Sequence, residues 1–281
     1  MINYDRLAAI FPYNTLPKVP VLRCPACHVP RNGQVPVPAL DRCGFAIATI
    51  RCPECSLLYL HEHLTRDGYV RLYDGAYRSL VAALRDPAYD PSTAPPPEQC
   101  DLRDSYLAMI GPRLRAQAPR TLLDAGGGSG EMTARLAVLC EAPPAVTVLD
   151  PAPDVHMPGM TFVQGYLEDP IVGTFDCALC LETLDHVTDP IAALRHLRDA
   201  VPRGTLFVDV IDTDLHTRNK LRRLLKVDHP LNWTRKALTC ALQRSGWTIR
   251  RSGFLRQRLV TRSRVAGLLR HVPDRVLMEC E

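Results

Sequence analysis

Nothing in this 281-residue chain approaches the roughly 18 uninterrupted apolar positions of a membrane-spanning helix, so no span is expected. Met1 to Ile10 hold no basic segment followed by a long apolar run, and no secretory signal is expected either. An excess of one charge is also lacking. With 34 Lys and Arg against 30 Asp and Glu, the net charge of +4 neither demands nor excludes a nucleic-acid partner. Two nucleotide-binding signatures are absent as well. A Gly-x-Gly-x-x-Gly fingerprint starting at Gly126 needs a glycine where Glu131 stands, and no Gly-Lys-Ser/Thr follows to make a P-loop. Cysteine, by contrast, is plentiful at eleven residues. Without a secretion signal, so many thiols point to a reducing, cytoplasmic setting and to metal binding rather than disulfides. With 46% hydrophobic and 23% charged residues, the chain has room for one large packed domain and a smaller module.

The chain is organised around Leu122 to Met132, with three contiguous glycines at its centre. The apolar run Thr121 to Ala125 predicts a buried strand and Met132 to Leu139 a helix. The turn between them is too tight for side chains and brings backbone N–H groups close to a ligand. Such geometry suits a nucleotide-like or carboxylate-bearing cofactor. Asp124, Gly126, Gly128 and Gly130 spell Asp-x-Gly-x-Gly-x-Gly. In this the sequence resembles the class I S-adenosylmethionine (SAM) methyltransferases, whose first motif has that form. The resemblance implies that the glycines pass under SAM and that Asp124 helps hold its amino-acid portion. Ala145 to Leu149 predict a second strand ending at Asp150. An acid there, about twenty residues past the glycines, suits ribose hydroxyls, and the family uses this same position.

Met160 to Gln164 predict a third strand, followed by Gly165, Tyr166 and Leu167. The family borders adenine here, which implies contact from Leu167 or Glu168, although Tyr166 stands where many members carry an acid. Phe175 to Leu181 predict a fourth strand in which Cys177 and Cys180 face opposite sides, as core thiols. Glu182 to Pro190 (ETLDHVTDP) resembles an E-x-L-x-H-x-x-D-P segment of the superfamily that sits beneath the transferred methyl, beside the substrate. That places Glu182 at the cofactor and makes His186 either a general base or a residue that orders the loop. Ile191 to Val201 predict a helix and Gly204 to Ile211 a fifth strand. His216 to Lys226 is basic and helical, and Arg218, Lys220, Arg222 and Arg223 either face solvent or bind a phosphate or carboxylate on the substrate. His229, before Pro-Leu-Asn-Trp, resembles a segment that faces the active site in sugar-modifying members, and is a second candidate base. A helix over Trp233 to Ser245, a strand over Trp247 to Arg250 and a hairpin over Phe254 to Thr261 follow, in an arginine-rich tail that includes Arg275. Arg256 and Arg258, then Arg262 and Arg264, alternate as on the exposed face of an edge strand.

Upstream, Cys24-Pro25-Ala26-Cys27 and Cys52-Pro53-Glu54-Cys55 form two C-x-x-C pairs, enough thiolates for a tetrahedral zinc. A β-like run at 44–50 leads into the second pair, the layout of a zinc ribbon. Cys43 lies outside the ligand set, and His61 and His63 read as solvated turn or helix-start residues. Arg66 to Leu84 predict a helix with Tyr69, Tyr73 and Tyr77 on one face, a seam docking the ribbon on the larger domain. Ribbon, tyrosine helix and methyltransferase domain together resemble bacterial enzymes of sugar, polysaccharide and natural-product pathways. There the tyrosine segment lies over the cofactor pocket, which implies that Tyr73 or Tyr77 touches SAM or substrate. The proline-rich 86–99 reads as a linker. The expected division is 1–65 for arm and ribbon, 66–104 for tyrosine helix and linker, and 105–281 for the methyltransferase domain.

Strands alternating with helices predict an open, Rossmann-like α/β sheet with helices on both faces. The expected reaction is methyl transfer from SAM to a small molecule, such as a nucleotide-linked sugar or secondary metabolite. Two alternatives stand beside it. One is RNA base methylation with the ribbon gripping RNA, against which the ribbon lacks a dense aromatic-basic patch. The other is a non-catalytic SAM-binding interaction module.

Overall fold

The computed structural model describes residues 3–85, 103–151, 157–215, 225–258 and 271–281. Helix α1 (Tyr4–Ile10) starts at Asn3, whose side chain accepts from the Arg6 N–H at 3.0 Å. Strands β1 (Lys18–Pro20), β2 (Val37–Leu40), β3 (Ala46–Arg51), β4 (Leu58–Leu60) and β5 (Glu62–Leu64) follow. β2, β3 and β4 pair antiparallel in order, while β1 pairs with β5. Such short strands cannot bury a core alone. The N-terminal arm covers them instead: Phe11 and Tyr13 pack on Phe45 with ring centroids 6.4 and 5.5 Å apart. The tyrosine segment is α2 (Arg66–Arg71), capped by Thr65, then one π-helical turn over Leu72–Ala76, then α3 (Tyr77–Arg85). The expected single helix therefore carries a wide turn, and it falls where Tyr73 sits.

The larger part runs α4 (Arg103–Gln117), β6 (Thr121–Ala125), α5 (Glu131–Ala137), β7 (Ala145–Asp150), β8 (Thr161–Gln164) and β9 (Cys177–Cys180). It continues with α6 (Pro190–Ala200), β10 (Thr205–Ile211), β11 (Leu231–Asn232), α7 (Arg235–Arg244), β12 (Ile249–Arg258) and β13 (His271–Cys280). Seven of these strands form one sheet in the order β12-β13-β10-β9-β6-β7-β8. The five from β10 to β8 are parallel, and β13 is antiparallel to both of its neighbours. Side-chain alternation divides the core. Leu123, Ala125 and Cys180 pack with α6 and α7 on one face, while Leu122 and Cys177 pack with α4 and α5 on the other. Both cysteines are core thiols, as expected. The chain moves outward from β6 to β8 and then returns to β9 beside β6. Ligands of open α/β sheets bind at the carboxyl ends of the strands where the order reverses in this way.

β11 does not join that sheet. It pairs antiparallel with β4 and completes the ribbon sheet in the order β11-β4-β3-β2. The four ribbon cysteines accordingly share one continuous apolar cluster with Leu123, Trp233, Leu238 and Leu242.

Several expectations need correction. The strand expected at 247–250 and the described start of the hairpin expected at 254–261 fall in one strand, β12, whose partner is β13, and residues 259–261 lie outside the described residues. His61 lies in a bend, partly exposed, whereas His63 is not a turn or helix-start residue but lies in β5, half-buried, with Nδ1 2.9 Å from the Leu64 carbonyl. Arg275, named above only as part of the arginine-rich tail, is buried at 4% exposure. The linker at 86–99, the basic residues Arg218, Lys220, Arg222 and Arg223, and Arg262 and Arg264 lie outside the described residues. No helix among the described residues is long and apolar enough to cross a membrane.

Candidate active site

The glycine turn follows β6. Gly126 and Gly130 have φ of 79° and 77°, the left-handed region that favours glycine. The underside of the turn is filled: a Cβ at Gly126 would collide with Thr183, and one at Gly127 with the Asp124 carboxylate. The outer side is open, for a Cβ at Gly128 would meet nothing within 4 Å. Asp124 lies beneath the turn at 4% exposure and accepts from Thr133 Oγ1 at 2.6 Å. Burial pushes its carboxyl up to about 6, against the lowering effect of that hydrogen bond. Asp150, at the end of β7, accepts from the Gly128 N–H at 2.9 Å and so borders the open side. Leu167 is buried, and Glu168 is tied into the next loop by the Thr188 N–H at 2.8 Å. A packed underside, an open outer face and a carboxylate at its edge fit SAM.

The loop after β9 rests on this turn. Glu182 adopts φ 55°, unusual for a residue with a side chain, and its N–H donates to Asp209 Oδ1 at 2.8 Å. Its carboxylate accepts from Tyr106 at 3.3 Å. Thr183 Oγ1 lies 3.4 Å from the Gly126 carbonyl, which fastens the loop to the cofactor turn. Three residues on, His186 meets His229 edge to face, with ring centroids 4.4 Å apart. The two candidate bases, far apart in sequence, therefore form one pair. Backbone-directed hydrogen bonds stitch their loops together. His186 Nδ1 is 2.7 Å from the Asp228 carbonyl, and Trp233 Nε1 donates to the Leu184 carbonyl at 3.2 Å.

Tyr73 reaches the pair from the π-helical turn. Its hydroxyl is 3.0 Å from His186 Nδ1 and 3.4 Å from the Asp228 carbonyl. Burial, then the nearby Asp228, push the Tyr73 pKa well above its usual value, so the hydroxyl keeps its proton. Tyr77 stacks behind Tyr73 with ring centroids 5.8 Å apart. Carbonyl oxygens accept only, so the short bond to Asp228 places the His186 proton on Nδ1 and leaves Nε2 with a free lone pair. Burial draws His186 below its ordinary value, although Asp228 opposes this, and draws His229 well below, helped by Lys226.

Sequence reasoning missed the charged groups around the pair. Lys226 Nζ lies 3.2 Å from His229 Nε2, and Asp228 Oδ2 lies 3.6 Å from the same nitrogen. The ribbon supplies Arg42, with Nη2 3.8 Å from Asp228 Oδ1. Asp41 beside it accepts from the Cys43 N–H at 2.7 Å and the Val227 N–H at 3.4 Å, which ties the ribbon to this segment. Behind the Glu182 loop, buried Arg275 pairs with Asp209 and lies 3.7 Å from Asp185. Burial lifts Asp185 to about 7, with Arg275 opposing. Arg42, Asp41 and Arg275 carry no signal in sequence because their partners lie far along the chain, whereas Lys226 and Asp228 stand within three residues of His229.

Cys24, Cys27, Cys52 and Cys55 bring their sulfurs within 4.8 Å of one another, and Cys43 stands apart as a buried thiol. The closest sulfur pairs, Cys24 with Cys55 and Cys27 with Cys52, are 3.5 Å apart. The hydrogen bond between Cys24 and Cys55 draws the Cys55 thiol down and holds the Cys24 thiol up, so the two share one proton unevenly. Four such donors around one point fit tetrahedral zinc. His186, Asp228 and His229 also place ligand atoms within 4.8 Å of one another, but Lys226 already directs an ammonium at that corner.

Residues 98–252, more than half of the chain, match the family described as "Methyltransferase domain". Among solved structures, the chain resembles NcsB1, an O-methyltransferase from neocarzinostatin biosynthesis in complex with S-adenosylmethionine and 2-hydroxy-5-methyl naphthoic acid. That likeness has 18% identity and a TM-score of 0.45, over 62% of this chain and 52% of the other. A second is the magnesium protoporphyrin IX methyltransferase of Synechocystis PCC 6803 with bound SAH, at 18% identity and a TM-score of 0.46. It covers 66% of this chain and 89% of that one. The chain thus spans about half the length of NcsB1, at 52%. No curated protein matches it by sequence.

Proposed function

The chain belongs to the methyltransferase-domain family, as a SAM-dependent methyltransferase, and we propose that it methylates a small polar molecule with His186 as the base. The observation that carries this reading is the contact of Thr183 with Gly126, which sets the loop bearing His186 against the cofactor turn. SAM supplies a methyl group activated on a sulfonium. The turn through Gly126, Gly128 and Gly130, open at Gly128 and supported from below by Asp124, would hold it, with the Asp150 carboxylate at the edge and Glu182 in the adjoining loop. His186, held by the Asp228 carbonyl and Tyr73, presents Nε2 to take the acceptor's proton. Much of the rate comes from holding acceptor and methyl in line.

In this reading Cys24, Cys27, Cys52 and Cys55 bind zinc, and the ribbon walls the acceptor site instead of clamping RNA. Support comes from β11, which is both a ribbon strand and the continuation of the His229 segment, and from Arg42 facing Asp228. The acceptor is then a metabolite, with a nucleotide-linked sugar as the leading class, and the reaction is cytoplasmic. We take the arm and ribbon at 1–65, the tyrosine segment at 66–104 and the catalytic part at 105–281 as one working unit. His186→Ala should lower methyl transfer by about 10²–10⁴-fold, the usual contribution of a general base, while SAM affinity holds. Unchanged turnover, measured where chemistry limits the rate, would remove His186 from the role.

A further inference from the structure

His229 sits beside His186 and was the second candidate base, yet its surroundings treat its two nitrogens differently. Nε2 is 3.2 Å from Lys226 Nζ, within hydrogen-bond reach. An ammonium has three donors and no acceptor, so in a bond between the two the imidazole nitrogen must accept. Nε2 then carries the lone pair and Nδ1 the proton. This is the less common arrangement for a free imidazole, so something must impose it.

We propose that Lys226 is a positioning residue: it fixes His229 as the Nδ1–H tautomer and keeps its Nε2 from serving as a base. The base role passes by exclusion to His186, whose own proton is placed on Nδ1 by the Asp228 carbonyl 2.7 Å away. The two rings are thus held in the same tautomer by different devices, a side-chain donor for one and a backbone acceptor for the other. The remaining groups around His229 agree with a neutral ring. Lys226 and Arg42 face it from its own segment and from the ribbon, Arg275 from the main sheet, and His186 stacks against it, all opposing a positive charge on the imidazole. Asp228, with Oδ2 3.6 Å from His229 Nε2, is a group of opposite sign beside the ring. Because Oδ2 has no hydrogen-bond donor of its own, a second lone pair faces the same corner. The Lys226 ammonium is what makes that arrangement of acceptors tolerable.

This inference rests on the reading of the histidine pair as acid–base machinery, but its test does not require turnover. The full-length, zinc-loaded protein would be labelled with ¹⁵N-histidine, and long-range ¹H–¹⁵N correlation spectra would report which nitrogen of each ring is protonated. The wild type should show Nδ1–H with a bare Nε2 for both His186 and His229. In Lys226→Met, His229 should shift toward the Nε2–H form while His186 keeps its wild-type pattern. Lys226→Arg retains a donor and should restore the wild-type pattern at His229. Nε2–H at His229 in the wild type would overturn the proposal, since Lys226 would then be the acceptor. A His229 pattern indifferent to Lys226→Met would overturn it equally. If the tautomers behave as stated but His186→Ala turns over normally, the base assignment fails and the role of Lys226 stands.

Discussion

Arg275 closes the sequence-distant charges behind the catalytic loop into one network, pairing with Asp209 and facing Asp185 at full burial. Removing one member of such a pair leaves a buried charge uncompensated. Asp209→Ala should therefore destabilise the fold by about 3–5 kcal/mol, read from the urea midpoint, whereas a loss of under about 1 kcal/mol would show the pair to be dispensable. The histidines make a pH prediction. His186 is held below its ordinary value by burial, so the neutral form that accepts a proton persists at neutral pH. The acid limb of kcat should therefore lie below about 6.5, the unperturbed histidine value, and a limb above it would contradict the burial of the pair. Stability follows with a worked sign. A histidine depressed in the folded state binds fewer protons there than in the unfolded chain, so its contribution is full above about pH 6.5 and is lost as pH falls below that value. Asp124 and Asp185, raised to about 6 and about 7, act oppositely: their contribution is full at low pH and is lost as pH rises through those values. At this scale His186 and His229 were legible because their local motifs are distinctive. Arg42 and Arg275 were not, since an isolated basic residue looks the same whether it meets solvent or a partner across the fold, and Lys226 read only as the end of a basic helix.

At the scale of elements, β11 is the informative case. Two residues long, it lies between His229 and helix α7, yet its hydrogen bonds belong to the ribbon. Thr234 Oγ1 bonds the Cys55 carbonyl at 3.2 Å and the Leu60 N–H donates to the Pro230 carbonyl at 2.9 Å, so the ribbon grips this segment from both ends. Stripping the metal with a chelator should release the amides of Leu231 and Asn232 to rapid hydrogen exchange, while β6 and β7 remain protected. Retained protection at Leu231 and Asn232 would mean the ribbon does not hold the His229 segment. Trp233→Phe keeps the bulk but leaves the Leu184 carbonyl without its donor, and should cost about 1–3 kcal/mol in thermal or urea unfolding. Strands β6, β7, β9 and β10 were readable because burial makes them apolar runs, while the edge strand β8 is mostly exposed. β12 was misread as two pieces for a physical reason: bulges between Ile249 and Arg251 and between Leu255 and Arg256 break the side-chain alternation. β11 left no trace, being too short for any period.

Among the described residues, the ribbon and the seven-stranded sheet share one continuous apolar core. Cys24, Cys27, Cys52 and Cys55 lie in the same apolar cluster as Leu123 beneath the cofactor turn and Trp233 beside the histidine pair. The sequence legibly gave a sheet with a cofactor turn and a four-cysteine module, each from local spacing. How the two join depends on β11 and Arg42, which only the folded chain brings together. The most direct test of the account is methyl transfer itself. The purified, zinc-loaded protein would be incubated with SAM labelled on the methyl group and with host extract, then separated into small-molecule, RNA and protein fractions. The account predicts label in the small-molecule fraction, lost with His186→Ala. Label in RNA or protein, or none in the small-molecule fraction, would contradict it.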